Sequence, residues 1–182
     1  MADTTKLIEA SDFAPYKVIA DNITESKTID PYILEAQQFD LKPLLGQELF
    51  IDLLEDFEDT PSLSKYEDLF NGKSYEKYGK KYKHQGLVPV LCYFAYARYL
   101  TNANQSSTEY GVVQKRTDES QPVPEATLAR MITQAREGAM AYWHDVKTYL
   151  DHNANDIPLW NCSKKDWPIS GLPSMRGIGD DN

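Results

Sequence analysis

The sequence predicts a mainly α-helical fold: a helical bundle with a long C-terminal helix, a small hairpin or extended-loop insertion and a non-helical C-terminal tail. Three patterns predict it. Leu45, Leu49 and Leu53 recur at four-residue spacing with Leu44, Phe50, Leu54 and Phe57 beside them, which makes one apolar helix face. The stretch from Leu87 to about Asn104 is apolar on nearly all sides, as expected of a central core helix. From Pro124-Glu125 onward, Leu128, Met131, Ile132, Ala135, Ala139, Tyr142, Trp143, Val146, Tyr149 and Leu150 fall on one stripe, enough for a helix roughly 40 Å long.

Each element can be argued in order. Between Lys6 and Ile29 the signals are mixed: Leu7 and Ile8 suit a short strand, and Ser11-Asp12 suits a cap for a helical turn that Pro15 keeps brief. Asp30-Pro31 starts a helix, with Ile33, Leu34, Ala36, Phe39 and Leu41 as its apolar residues, and Pro43 is expected to end or kink it. A second helix is expected from about Pro43 to Phe57, closed by the acidic group Asp52, Glu55, Asp56, Glu58 and Asp59. Thr60-Pro61-Ser62 restarts a short helix through Leu69-Phe70, which Asn71-Gly72 stops. Tyr75, Tyr78 and Tyr82 alternate loosely with lysines around Gly79 and read as an exposed hairpin or an ordered loop. Pro89 is tolerable in the next helix because it falls in the first turn. Gln105 to Pro124 lacks helical periodicity, and loops of that length usually carry function or disorder. The segment from Asn153 shows no helical or strand period, yet it holds Trp160, Trp167, Ile169 and Leu172. A linker would not carry such residues, so the tail is expected to dock on its own domain or on a partner. The expected division is a helical domain at 1–152, with extended loops at 73–85 and 105–123, and an extended docking tail at 153–182.

Composition narrows the function classes. With 182 residues, 41% of them hydrophobic and 12% aromatic, the chain is long enough to bury one sizeable core. Apolar runs such as Leu87 to Leu91 fall far short of the ~20 residues of a membrane span, and Met1 to Thr5 has no signal-peptide pattern, so a soluble cytosolic product is expected. Two cysteines, Cys92 in an apolar stretch and Cys162 in a polar one, offer no disulfide framework or CxxC motif. The net charge of -9 opposes wrapping DNA or RNA, which needs a surplus of lysine and arginine.

No catalytic, metal-binding or cofactor-binding set emerges from the motifs, so a non-enzymatic role is expected. His84, His144 and His152 lack any ligand spacing and read as surface or helix-end residues; the last two would lie roughly 12 Å apart along one helix. Cys92 reads as a small core residue. Gly177-Ile178-Gly179 has no helix after it to form a phosphate loop, and Asp52 to Asp59 lacks calcium-loop spacing and reads as a solvated acidic face. The basic group Lys73, Lys77, Lys80, Lys81 and Lys83 resembles a nucleic-acid footprint, but in so acidic a chain a solvated hairpin or a patch for an acidic neighbour is favoured.

Several local motifs carry a resemblance. They are Ile33-Leu34-Glu35-Ala36-Gln37, then Leu41-Lys42-Pro43-Leu44-Leu45-Gly46-Gln47-Glu48-Leu49-Phe50, then Gly86-Leu87 opening Tyr93-Phe94-Ala95-Tyr96-Ala97-Arg98, then Thr108 to Val113 before the long helix. Over about Lys6 to Leu150 the chain resembles the head-to-tail connector, or adaptor, proteins of tailed bacteriophages, particularly those of crAss-like phages infecting Bacteroidetes. The resemblance implies a neck-ring subunit of the virion, assembled in the host cytoplasm. It would oligomerise as a twelve-fold ring under the portal, contact the portal and neighbouring neck or tail proteins, and pass DNA without binding it specifically. Ring copies need segments that reach their neighbours, and on this reading Tyr110, Val112 and Val113 would add a strand or pack in the loop, while Trp160, Trp167, Ile169 and Leu172 would anchor the tail. An acidic lumen wall would discourage DNA from sticking. The other reading the composition allows is a small adaptor or host-directed inhibitor that binds a single protein partner.

Overall fold

The computed structural model of the chain describes residues 5–19, 28–59, 65–102, 105–108, 111–114 and 123–163. It is a mainly helical bundle with a long C-terminal helix, as the sequence predicts. Its helices are α1 (Asp30–Ala36), α2 (Lys42–Leu45), α3 (Gln47–Asp59), α4 (Glu67–Asn71), α5 (Leu87–Thr101), α6 (Glu125–His152) and α7 (Pro158–Ser163). Two antiparallel hairpins interrupt them: β1 (Lys73–Lys77) with β2 (Lys80–His84), and β3 (Gln105–Thr108) with β4 (Gly111–Gln114).

Pro43 does not end the first helix. The chain leaves α1 through a π-turn at Gln37–Leu41, where the Lys42 N–H donates to the Gln37 carbonyl five residues back, and enters α2 with Pro43 in its first turn. The widened turn makes room for a ring that would otherwise strike the preceding turn. The break falls instead at Gly46, whose φ of 86° and ψ of 156° belong to a region essentially reserved for glycine. The helix expected over Pro43 to Phe57 is therefore two helices, α2 and α3.

Leu7 and Ile8 form no strand. Gln37, itself buried, takes the part of a neighbouring strand: its Oε1 accepts from the Leu7 N–H at 2.8 Å and its Nε2 donates to the Thr5 carbonyl at 2.9 Å. Leu7 and Ile8 are thereby buried without a sheet. A 3₁₀ turn over Ala10–Phe13 follows, in which the Asp12 carboxylate accepts from the Glu9 N–H and Phe13 enters the core.

The core lies where α5 packs on α6. Leu87, Val90, Leu91, Cys92, Phe94 and Ala95 of α5 meet Ala139, Trp143, Val146 and Leu150 of α6, with Ile33, Ala36, Leu41, Leu45, Leu49, Phe50 and Leu53 packed in from α1 to α3. Truncating one fully buried leucine such as Leu53 to alanine would cost about 2–5 kcal/mol. Gly138 lets the helices approach: a Cβ there would stand 2.5 Å from the Tyr93 ring.

The tail is not extended from its start. Pro158 opens α7, which packs on α3 and buries Ile157 and Trp160. Six residues are too few to display a helical period, which is why the sequence pattern misses this helix. The tail residues Trp167, Ile169 and Leu172 lie outside the described residues. Among the described residues no helix is long and apolar enough to cross a membrane.

Candidate protein interface

Two glycines fix the root of the β1–β2 hairpin. Gly72 (φ +90°) and Gly86 (φ +77°) cross so closely that a Cβ on Gly86 would lie 2.0 Å from the Phe70 carbonyl oxygen and 2.6 Å from the Gly72 nitrogen. The register then pairs Tyr75 with Tyr82, Glu76 with Lys81 and Lys77 with Lys80, and the two-residue turn Tyr78-Gly79 closes the hairpin. Both turn residues have positive φ, 54° and 69°, as a loop of this length requires of strands with the usual twist. For tyrosine that conformation costs about 1–2 kcal/mol relative to the right-handed region. Yet Tyr78 sits there with 82% of its surface exposed.

Side chains alternate across the hairpin with the period of a half-buried sheet. The inner face lies against the last turns of α6. Tyr75 stacks on Tyr82 with centroids 5.4 Å apart and meets Tyr149 edge-on at 5.3 Å. His84 stacks on Tyr149 at 4.3 Å, and Tyr82 meets the His152 ring at 4.8 Å. The Tyr75 hydroxyl lies 3.1 Å from His152 Nδ1, and the edge of Tyr78 reaches the same imidazole at 6.0 Å. Pairs of this kind contribute about 0.5–1.5 kcal/mol each beyond their buried area. The hairpin is thus held to the helix as a fixed projection.

His84 departs from the expectation of a surface histidine. Its place on the inner face of β2 buries it, and neither ring nitrogen has a hydrogen-bond partner among the described residues. Loss of hydration pushes its pKa below the ordinary histidine value, opposed by the charges of Asp68 and Asp145. His144 is exposed and His152 ends α6, as expected. Cys92 is a buried core residue whose thiol is pushed up to about 12 by burial, with the Asp12 charge adding to the effect.

The outer face carries Ser74, Glu76, Lys81 and Lys83, all exposed, with Lys80 exposed beside the turn. A shallow depression of about 480 Å³ runs among Ser74, Tyr75, Glu76, Lys81, Tyr82 and Lys83. Lys73 is bound to Asp68 at 2.5 Å, whereas Lys80, Lys81 and Lys83 form no ion pair among the described residues. Residues 73–84 hold five lysines and one glutamate, a charge of +4, so the rest of the chain carries -13.

A second exposed aromatic lies at the π-turn. Phe39 is 65% exposed rather than packed with Ile33 and Ala36, because the additional residue in the turn rotates it off the apolar face. Arg98 covers its ring at 5.2 Å and is held by Asp40 at 2.6 Å and Glu35 at 3.6 Å. The acidic group on α3 is only partly a solvated face: Asp56 accepts the backbone N–H groups of Lys65 and Tyr66, and Asp52 binds Lys65 and the Tyr66 hydroxyl. Burial and then the Asp52 bond push the Tyr66 phenol up to about 12.

The interface residues read from sequence separate. The backbones of Val112 and Val113 lie on β4, opposite Ser107 and Ser106, while Tyr110, Trp167, Ile169 and Leu172 lie outside the described residues. Trp160 serves the chain's own fold: it is buried beside Trp143 with ring centroids 6.1 Å apart, and its Nε1 donates to Asp151 at 2.9 Å. A side chain so enclosed cannot also anchor a partner. Sequence pattern places Tyr78 on an exposed hairpin without singling it out as a contact residue, for which the Tyr-Gly pair between two basic strands is the available signal, and it misses Phe39 as an exposed aromatic. Among the described residues no group of three His, Cys, Asp or Glu side chains is placed to hold a metal ion.

Residues 41–166 match a protein family described as a family of unknown function, DUF6712. The chain belongs to the DUF6712 family. The DUF6712 region takes in α3, both hairpins, α5, α6 and Trp160, and leaves out α1 and Trp167. Neither a curated protein nor a solved structure matches the chain.

Proposed function

We propose that this DUF6712 chain is a structural subunit that assembles with copies of itself and with a portal, as a head-to-tail connector in the neck of a tailed phage. The reading rests on the connector-like motifs from Ile33 to Val113 and on one observation above the rest. The β1–β2 hairpin is a rigid, basic projection tipped by an exposed, conformationally costly tyrosine on an otherwise acidic domain. Protein contacts favour such a feature: an aromatic for buried area and charges around it for orientation. The β3–β4 hairpin, with Val112 and Val113, and the tail residues Trp167, Ile169 and Leu172 are the further contacts proposed toward neighbours and portal. The surplus of carboxylates suits a wall past which DNA slides.

Light scattering on the purified full chain, alone and mixed with a candidate portal, tests this. The expected result is a mass of many subunits, at least in the mixture. A monomer indifferent to every portal overturns the connector reading in favour of a single-partner adaptor. A tail test must end the chain after Ser163, since ending it at Asn153 would remove the core residues Ile157 and Trp160.

A further inference from the structure

We infer that the β1–β2 hairpin of one copy docks on the outer stripe of α3 of a second copy. The inference rests on the self-assembling subunit proposed above and assigns the contact. On α3, Glu48, Ile51, Glu55 and Glu58 are exposed and spaced by three and four residues, so they share one face, while Leu49, Leu53 and Leu54 are turned inward. Ile51 is 43% exposed at the middle of that stripe. Among the described residues Glu48 and Glu55 form no ion pair, and Glu58 accepts only the Thr5 hydroxyl. Among its described residues each copy thus carries cations without ion pairs around an exposed aromatic at one place and carboxylates without ion pairs around an exposed aliphatic at another.

Spacing and sign both fit. Glu48 and Glu55 lie on either side of Ile51, two helical turns and roughly 10 Å apart along the axis, and Lys80 and Lys81, successive residues of β2 next to the turn, point to opposite faces of the ribbon behind Tyr78. Tyr78 would rest on Ile51, with Lys80 toward one of the flanking carboxylates Glu48 and Glu55 and Lys81 toward the other. Copies with a net charge of -9 repel one another in most orientations, so the +4 hairpin selects the orientation that places it on an acidic face. The two patches are different surfaces of the same chain. The hairpin is seated on α6 and α3 is seated on α2 and α7, and no ion pair joins them within one copy among the described residues. A contact between unlike patches is head-to-tail, and it closes into a ring or runs on as a filament.

Charge reversal tests the assignment in the full chain, read by light scattering and sedimentation. K80E/K81E and, separately, E48K/E55K should each weaken self-association by roughly tenfold or more, and an equal mixture of the two variants, or all four changes in one chain, should restore it. All four side chains are exposed, and circular dichroism checks the fold of each variant. If the natural chain assembles and both reversals leave its mass unchanged, the inference fails and the subunit reading stands. If each reversal dissociates the assembly but the combination does not restore it, the inference also fails. Loss of DNA binding by K80E/K81E with unchanged mass would assign the hairpin to nucleic acid instead. A natural chain that stays monomeric with and without portal overturns the inference and the subunit reading together.

Discussion

Replacing Gly86 by alanine should loosen the root of the β1–β2 hairpin and cost about 2–6 kcal/mol of folding stability. Two terms add. The backbone at Gly86, φ 77° and ψ -168°, lies in a region essentially restricted to glycine, where a side chain costs about 1–3 kcal/mol. The new Cβ would also stand 2.0 Å from the Phe70 carbonyl oxygen and 2.6 Å from the Gly72 nitrogen. Both are backbone atoms, so relief requires the end of α4 and the start of α5 to part, which adds a strain of about 1–3 kcal/mol. Urea denaturation followed by circular dichroism measures the loss directly. In a thermal scan it should lower Tm by about 10 °C for a chain of this size. Gly79→Ala is the control, since its φ is +69° but nothing lies within 4 Å of the added carbon, and it should cost only about 1–2 kcal/mol. If Gly86→Ala stays within about 1 kcal/mol of the natural chain, the close crossing at the hairpin root is wrong.

Four further outcomes follow from the same geometry. His84→Phe keeps the ring on Tyr149 and removes two buried nitrogens without partners, so it should match or exceed the natural chain at pH 7. Because the folded state holds the His84 pKa below its unfolded value, the unfolded chain takes the proton first. The stability of the natural chain should therefore fall relative to His84→Phe as pH drops below about 6.5, and a constant difference between pH 7 and 5.5 would contradict this. Trp160→Ala should cost about 3–5 kcal/mol in urea melts, a core effect that a tail free of the domain would not show. Arg98→Ala leaves the nearly buried Asp40 carboxylate without its cation and should cost about 2–4 kcal/mol by the same assay. In a Cys162→Ser background, Cys92 should resist a disulfide-exchange reagent at pH 8 until denaturant is added; fast reaction in buffer would mean the thiol is not buried.

The bundle was legible because its helices repeat over three or more turns. Leu49, Leu53 and Phe57 of α3 and Leu128 to Leu150 of α6 show their period, and the even apolarity of Leu87 to Leu100 marks the helix enclosed by the others. The hairpin was legible from the tyrosine alternation around Gly79. What escaped depends on single residues with tertiary partners. A π-turn has no composition of its own, so the sequence pattern shows neither the chain's helical passage through Pro43 nor the turning of Phe39 off the apolar face. Gln37 replaces a strand through two hydrogen bonds to residues 30 and 32 positions away, which no local window contains. His84 looks like a surface residue among lysines, and only the seating of the hairpin on α6 turns it inward. Trp160 was legible as an anchor but not its destination, since Trp143 and Asp151 become its neighbours only once α7 folds back.

Electron microscopy of the full chain mixed with a candidate portal decides whether copies of this chain assemble with it around a common axis, as proposed. The expected result is closed rings of this subunit, coaxial with the portal and of twelve-fold symmetry, with the β1–β2 hairpin of each copy lying on α3 of the next. Single copies bound off axis, or portals that carry none at all, would contradict it.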